Sequence, residues 1–576
     1  MSGLEAFGVI GFVFQVVDTT ITVIDLWKSA NEVGEDVVVI KTRLDMTRAR
    51  LKSWALDWGL KERRHLENRR FREYGFLAVR YLLIIQHRLT AMENFERKFP
   101  SLFRSAVLPQ DQGSAQRVAQ LAEIAQADAP GVLQLKELQQ EVTSINHANI
   151  IQRWRWARRG GKGLQMVDQV ATLVRELEDF FVPPAVDPLA PVVFSQQLLS
   201  APNAAASRAV HDAFAGDLAA EIVGSIASFT AAASEMANRA EALRGRELMR
   251  SHRGISHQQS VVTIGRSTGK RSLATFRAHD IPSTQVLIEW RMIPNTLSPA
   301  VKDGLHDHIH DLGLLLHSAS KPKEFRTLDC IAVVDMPVPP QEDAQYGLIF
   351  KLDEKKHVFT LFDLLMDETF AAKSLSHVLK LIQTLSKALL FLHLGCWLHK
   401  GIRSDNILFL ADDISNVDLC EPFIGGFEYS RTFAVQRLTQ NVGDDRFENL
   451  YRHPDHQGLP LTKNDSTDTN IQGHQPFSYE ADLYSFGVLM MEIGLWLTAS
   501  QIFDRSVADH THEGEGFREV FLDTIPRIKF RMGDAFAEAT SLCLKSDLCV
   551  GETGQPETVQ EAFYLSVVRA LERCFL

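Results

Sequence analysis

The sequence predicts a multidomain chain: an all-α helical bundle followed by an α+β domain in which a sheet-rich lobe precedes a helical lobe. Three observations carry this reading. Apolar residues recur at helical spacing through residues 1–246. A polar, glycine-containing stretch, ELMRSHRGISHQQS at 247–260, then interrupts the pattern and reads as a linker. From 261 to 576, short β-like runs come first and long helices later, the order of an α+β domain.

In the first part, RLDMTRARLKSWALDWGL places Leu44, Leu51, Trp54 and Trp58 at spacings of seven, three and four, on one helix face, with charges on the other. GLQMVDQVATLVRELEDFFVPP carries a second stripe, Leu164, Val167, Val170, Val174, Leu177 and Phe181, ended by Pro183 and Pro184. The alanine-rich run 217–243 predicts a further helix. In the second part, QVLIEWRMI (285–293), LDCIAVVDM (328–336) and YGLIFKL (346–352) predict strands, and helices are expected around 375–394 and 480–497.

Composition narrows the functions. With 576 residues, 45% of them hydrophobic and 23% charged, the chain has the make-up of a soluble globular protein. A net charge of -11 argues against nucleic acid as partner. All six cysteines lie in the second half, with no C-x-x-C pair, which fits a reducing cytosol. The apolar N-terminus lacks the basic n-region of a signal peptide, and Ser2 stands where myristoylation needs glycine. Asp18 and Asp25 interrupt the one N-terminal candidate for a membrane span.

The loop LHKGIRSDNILF, Leu398 to Phe409, has His399 and Asn406 seven positions apart. IGGFEYSR (424–431), YRHPD (451–455) and DLYSFGVLMMEI (482–493) follow in order. Together these resemble the catalytic loop, metal-binding segment, activation-segment end and buried helix of the protein kinase family. The resemblance spans roughly 260–576 and implies a bilobal kinase-like fold. It also implies that His399, Phe427, Asp482 and Gly487 pack the loop, fill the regulatory spine and tie the loop to the core, that Arg403 stands where many kinases carry a lysine, and that Asn406 alone of the chemical positions is kept.

The chemistry that phosphoryl transfer needs is mostly missing. A carboxylate must orient the attacking hydroxyl, metal ions must bridge the phosphates, and a lysine must grip the nucleotide. Gly401 replaces the first carboxylate and Gly426 the metal-binding aspartate. The strand at 285–293 offers Glu289 or Arg291 in place of the lysine, and 299–317 contains no glutamate to pair with one. TIGRSTGKRS (263–272) matches no phosphate-binding loop and reads as an ordinary turn with solvated basic residues. Asp405, Asp412 and Asp413 read as loop acids facing solvent. No catalytic or metal site is therefore expected. Asn406 and Arg291 are the candidates for a nucleotide cleft, and weak ATP binding is the one cofactor expectation.

The stretches 35–60 and 156–183, with R-L-D-x-x-x-A-R-L-x-x-W and L-x-x-V-D-Q-V-A, resemble the fungal HeLo domain of the prion-inhibition and propagation, HET-S-like, family. That resemblance covers roughly residues 1–225 and implies a cell-death module whose N-terminal apolar segment acts on membranes. The expected membrane-active residues are Phe7, Val9, Ile10, Phe12, Val13 and Phe14, the alternative being a first helix buried permanently in the bundle. QRWRWARRGGK (152–162) interleaves Arg153, Arg155, Arg158 and Arg159 with Trp154 and Trp156, a composition suited to anionic headgroups. The expected protein is a cytoplasmic signalling component that joins a membrane-active helical module to a regulatory pseudokinase and moves to the plasma membrane on activation. Its expected partners are other signalling proteins or further copies of itself. An active kinase with displaced residues and a non-catalytic scaffold are the alternatives.

Overall fold

The computed structural model describes residues 35–58, 162–181 and 189–194, scattered helical positions within 17–24, 78–85 and 222–230, and most of 261–574. The chain divides into two compact units, Met1–Gly224 and Ser225–Leu576. The linker expected at 247–260, the candidates Phe7, Val9, Ile10, Phe12, Val13 and Phe14, and the basic residues Arg153, Arg155, Arg158 and Arg159 lie outside the described residues.

In the first unit, α1 (Glu35–Asp57) packs on α2 (Lys162–Phe180) and α3 (Ala190–Phe194). Leu44, Leu51, Trp54 and Trp58 of the first stripe are buried, as are Val167, Val170, Val174, Leu177 and Phe181 of the second. Ile24, Leu44, Ile85, Val167, Val170 and Val174 form one core. The helices are registered by polar contacts at the rim: Arg43 pairs with Asp168, and Arg50 NH2 reaches Glu178 Oε2 at 2.8 Å. The end of α2 needs partners for carbonyls that have no intrahelical donor. The indole N–H groups of Trp54 and Trp58 supply two of them at once, both donating to the Phe181 carbonyl, at 3.0 and 3.1 Å.

The second unit opens with strands β1 (Val261–Thr268), β2 (Arg271–Ala278) and β3 (Ile281–Ile293), then α4 (Pro299–His317), β4 (Cys330–Met336) and β5 (Ala344–Lys351). They form one antiparallel sheet in the order β1-β2-β3-β5-β4. Alternation along β3 sends Val286, Ile288 and Trp290 into the core with Phe276, Ala332 and Ile349. Leu287, Glu289 and Arg291 belong to the other face. The segment 263–272 is not a solvated turn: its arms belong to β1 and β2, and only the tip turns.

After the sheet the chain runs through β6 (His357–Thr360), α5 (Leu361–Met366), α6 (Leu375–Leu394), β7 (Trp397–Leu398), β8 (Ile407–Ala411), β9 (Phe423–Ile424), β10 (Arg431–Thr432), α7 (Arg446–Asn449) and α8 (Tyr479–Leu495), and ends in helices. A capping box between Thr360 and Asp363 starts α5. α6 is apolar enough by length and composition to cross a membrane, but it is a core helix, buried along Leu381, Ile382, Leu385 and Ala388–Leu394. α8 is buried from Ala481 to Gly494 and forms the centre of the helical layer. At the start of the unit, Phe229 packs edge-on against Phe325, with ring centroids 4.9 Å apart, and against Trp397 at 5.9 Å. This part of the expected 217–243 helix therefore belongs to the second core rather than to the bundle.

Candidate functional site

The loop His399–Asn406 is held from below by one buried carboxylate. Asp482, on α8, accepts the backbone N–H groups of His399 and Lys400, each at 2.8 Å. These bonds hold Lys400 at φ 63, a left-handed conformation that a non-glycine residue adopts at a cost. Burial pushes the His399 imidazole down to about 4, so it is neutral at physiological pH, and its Nδ1 accepts the Gly401 N–H at 3.2 Å. Its ring meets Phe427 edge-on, with centroids 4.9 Å apart. A 3-10 turn at Ser404–Asn406 then sets the Asn406 side chain, whose Nδ2 donates to the Gly401 carbonyl at 2.7 Å.

The carboxylate that reaches this loop comes from the sheet. Glu289, buried on β3, accepts the Gly426 N–H at 2.8 and 3.0 Å through its two oxygens and the Phe427 N–H at 3.4 Å. Arg271, its register partner across β2, donates to it through Nε at 2.9 Å. The same guanidinium continues to the loop, donating through NH1 to the Asp405 carbonyl at 2.5 Å and through NH2 to Asn406 Oδ1 at 2.6 Å. A planar guanidinium with five donors in a fixed fork suits such a three-way contact. Sheet and loop are thus stitched together by Glu289 and Arg271.

The two glycines at the expected acidic positions fit this closure. Gly426 has φ +78, and a Cβ there would lie 2.2 Å from the Asn406 side chain. A Cβ on Gly401 would stand 3.3 Å from both Asn406 Nδ2 and the Gly426 carbonyl. Residue 426 thus lacks room for a side chain as well as lacking a carboxylate.

A second cluster lies beside the first. Glu448, on α7, pairs with Lys270 Nζ at 2.8 Å, Arg403 NH1 at 2.9 Å and Arg452 NH2 at 2.5 Å. Burial works to raise its carboxyl, but Lys270 and Arg403 outweigh burial and hold it below the usual range. Arg403 also pairs with Asp405, at 2.6 Å. Asp413 caps a short 3-10 turn through Ser415, an ordinary structural role for one of the loop acids.

The structure therefore brings together His399, Gly401, Asn406, Gly426 and Phe427. The guanidinium at Asn406 is that of Arg271, whereas Arg291 lies two residues beyond Glu289 and pairs in register with Tyr346. Sequence reading missed Arg271 because its environment is set by cross-strand register. The one available signal was an opposite charge, Glu289, on the next strand.

For the first unit, the family model HeLo, described as prion-inhibition and propagation, matches residues 5–203. The helical part of the chain is similar to HeLo domains. At the level of the family, this suggests fungal prion-inhibition or incompatibility-type signalling. No curated protein matches the chain.

Proposed function

We propose that the second unit is a kinase-like regulatory module that does not transfer phosphate, coupled to a HeLo-like module that acts at membranes in fungal incompatibility-type signalling. The fold assignment is supported by the sheet order β1-β2-β3-β5-β4, with one helix between β3 and β4 and a mainly helical remainder. It is supported further by four sequence landmarks in family order and by the grip of Asp482 on the loop backbone.

The loss of catalysis rests on one observation: the Arg271 guanidinium sits on Asn406 Oδ1. In a kinase, that asparagine oxygen holds a metal ion. Here a fixed positive charge engages it, and Glu289, the carboxylate that reaches the loop from the sheet, is taken up by Arg271 and two backbone N–H groups. A general base contributes roughly 10²–10⁴ in rate, and Gly401 removes it. ATP binding is weak and independent of magnesium.

In this reading the protein resides in the cytoplasm and self-associates, or binds other signalling proteins, through the helical unit. It meets anionic membrane on activation. Incubating the purified full chain with labelled ATP and magnesium tests the central claim: no transfer to itself or to a general substrate is expected. Transfer that Asn406→Ala abolishes would overturn it.

A further inference from the structure

We propose that His306, His310 and Asp335 form a binding site for one divalent cation of the zinc class. The cluster lies on α4 and β4, apart from the loop described above. His306 and His310 are four residues apart on α4, so their rings share a helix face, with centroids 4.4 Å apart. Asp335, on β4, points one oxygen at each ring: Oδ2 lies 3.5 Å from His306 Nε2, and Oδ1 lies 3.4 Å from His310 Nε2. One ligand atom from each of the three residues lies within 4.8 Å of the others.

Those spacings fit a metal better than hydrogen bonds. Hydrogen bonds from ring nitrogen to carboxylate fall at about 2.7–3.2 Å. Ligands about 2.1 Å from a tetrahedral zinc stand roughly 3.4 Å from one another. His310 Nε2 is buried and has no hydrogen-bond partner. His306 turns its other nitrogen, Nδ1, toward the Asp307 carboxylate at 3.4 Å.

The backbone supports the same arrangement. Gly313 lies one turn beyond His310, and a Cβ there would meet Val333 Cγ2 at 2.3 Å. The helix therefore rests directly on β4 at Val333. Two residues along that strand, on the same face, Asp335 comes under the histidines. Two imidazoles and a carboxylate suit zinc, cobalt or ferrous iron, and three protein ligands leave a position open for water or a further ligand.

The groups facing His306 are Asp307, Asp335, His310 and Tyr346, whose ring is 5.4 Å away, with Asp303 acting on Tyr346.

The test is titration of the chelator-treated full chain with zinc, and with cobalt(II), whose visible absorption reports its coordination. One tight equivalent is expected, with a metal-dependent rise in melting temperature. His310→Ala and the near-isosteric Asp335→Asn should each weaken that equivalent at least tenfold and remove the metal-dependent rise in melting temperature, while His357→Ala, an exposed position on β6, leaves both unchanged. Should His310→Ala unfold the chain, Asp335→Asn decides alone. A tight equivalent that survives Asp335→Asn, or the absence of any tight equivalent in the unaltered chain, would overturn the site and leave a histidine–aspartate ion pair.

Discussion

The Arg271 guanidinium donates to Asn406 Oδ1 at 2.6 Å while its Nε holds Glu289 at 2.9 Å, so one side chain from the sheet fastens the loop and its own strand partner together. Removing it leaves Glu289 buried and without its guanidinium partner. Arg271→Met should therefore destabilise the second unit by about 3–5 kcal/mol, the usual cost of breaking a buried pair from one side. Arg271→Met/Glu289→Gln should recover part of that loss, because the amide oxygen still accepts the Gly426 N–H. Urea denaturation of the four proteins in the cycle measures the coupling, and strictly additive losses would contradict it.

Restoring an acid at position 426 should not restore catalysis. Asn406 is pinned by Arg271 and by the Gly401 carbonyl, so it cannot yield to a new side chain. Gly426→Asp should lower stability by roughly 1–3 kcal/mol through the left-handed φ and the clash. It should produce no magnesium-dependent ATP shift in a thermal melt. Gly426→Ala/Asn406→Ala should lose less than the sum of its single changes.

Glu492 sets a pH dependence. Burial pushes its carboxyl from 4.5 up to about 8, although Tyr451, Ser404 and the Ala499 N–H all donate to its Oε1. A pKa raised in the folded state means that the unfolded chain ionises first. The associated stability is present in full below about 4.5 and is lost as pH rises through about 8. Glu492→Gln keeps the accepting oxygen and cannot ionise. Its melting temperature should match the unaltered chain near pH 4.5 and exceed it near pH 8.

In the first unit, Trp54→Phe and Trp58→Phe should each cost about 1 kcal/mol, because the Phe181 carbonyl retains the other donor. The double change leaves a buried carbonyl without either indole. It should cost about 1–3 kcal/mol more than the sum, and chemical denaturation read by circular dichroism checks this.

If residues Phe7–Phe14 enter lipid, Phe12→Glu or Val13→Glu in the full chain should abolish binding to anionic liposomes. A carboxylate at the bilayer centre costs about 2.5–3.5 kcal/mol on insertion scales. Loss of binding with an unchanged melting temperature supports insertion. A collapsed melt identifies a structural helix instead.

Much of the helical core could be read from spacing alone, since a stripe such as Val167, Val170, Val174 and Leu177 has one face to bury. The glycines at 401 and 426 were also readable, because a missing side chain is a local fact. Two features were not. Arg271 gains its meaning from a strand register and from a loop more than a hundred residues away. Phe229 sits in a helix-like run whose periodicity does not say which core its face enters. The His306, His310 and Asp335 cluster was not read from the sequence, since Asp335 joins the histidines only because Gly313 lets α4 settle onto β4.

The closure around Asn406 also has a bearing on descent. On the kinase-like reading, a lineage starting from this sequence would need acids at 401 and 426, a different residue at 271 and a lysine on β3, and the packing penalises changes at 426 and 271 when they are made alone. Each such intermediate would be less stable than its parent, so selection on stability gives no gradient to climb. On that reading the cleft behaves as an evolutionary ratchet, open to drift in what it binds and shut to a stepwise gain of phosphoryl transfer.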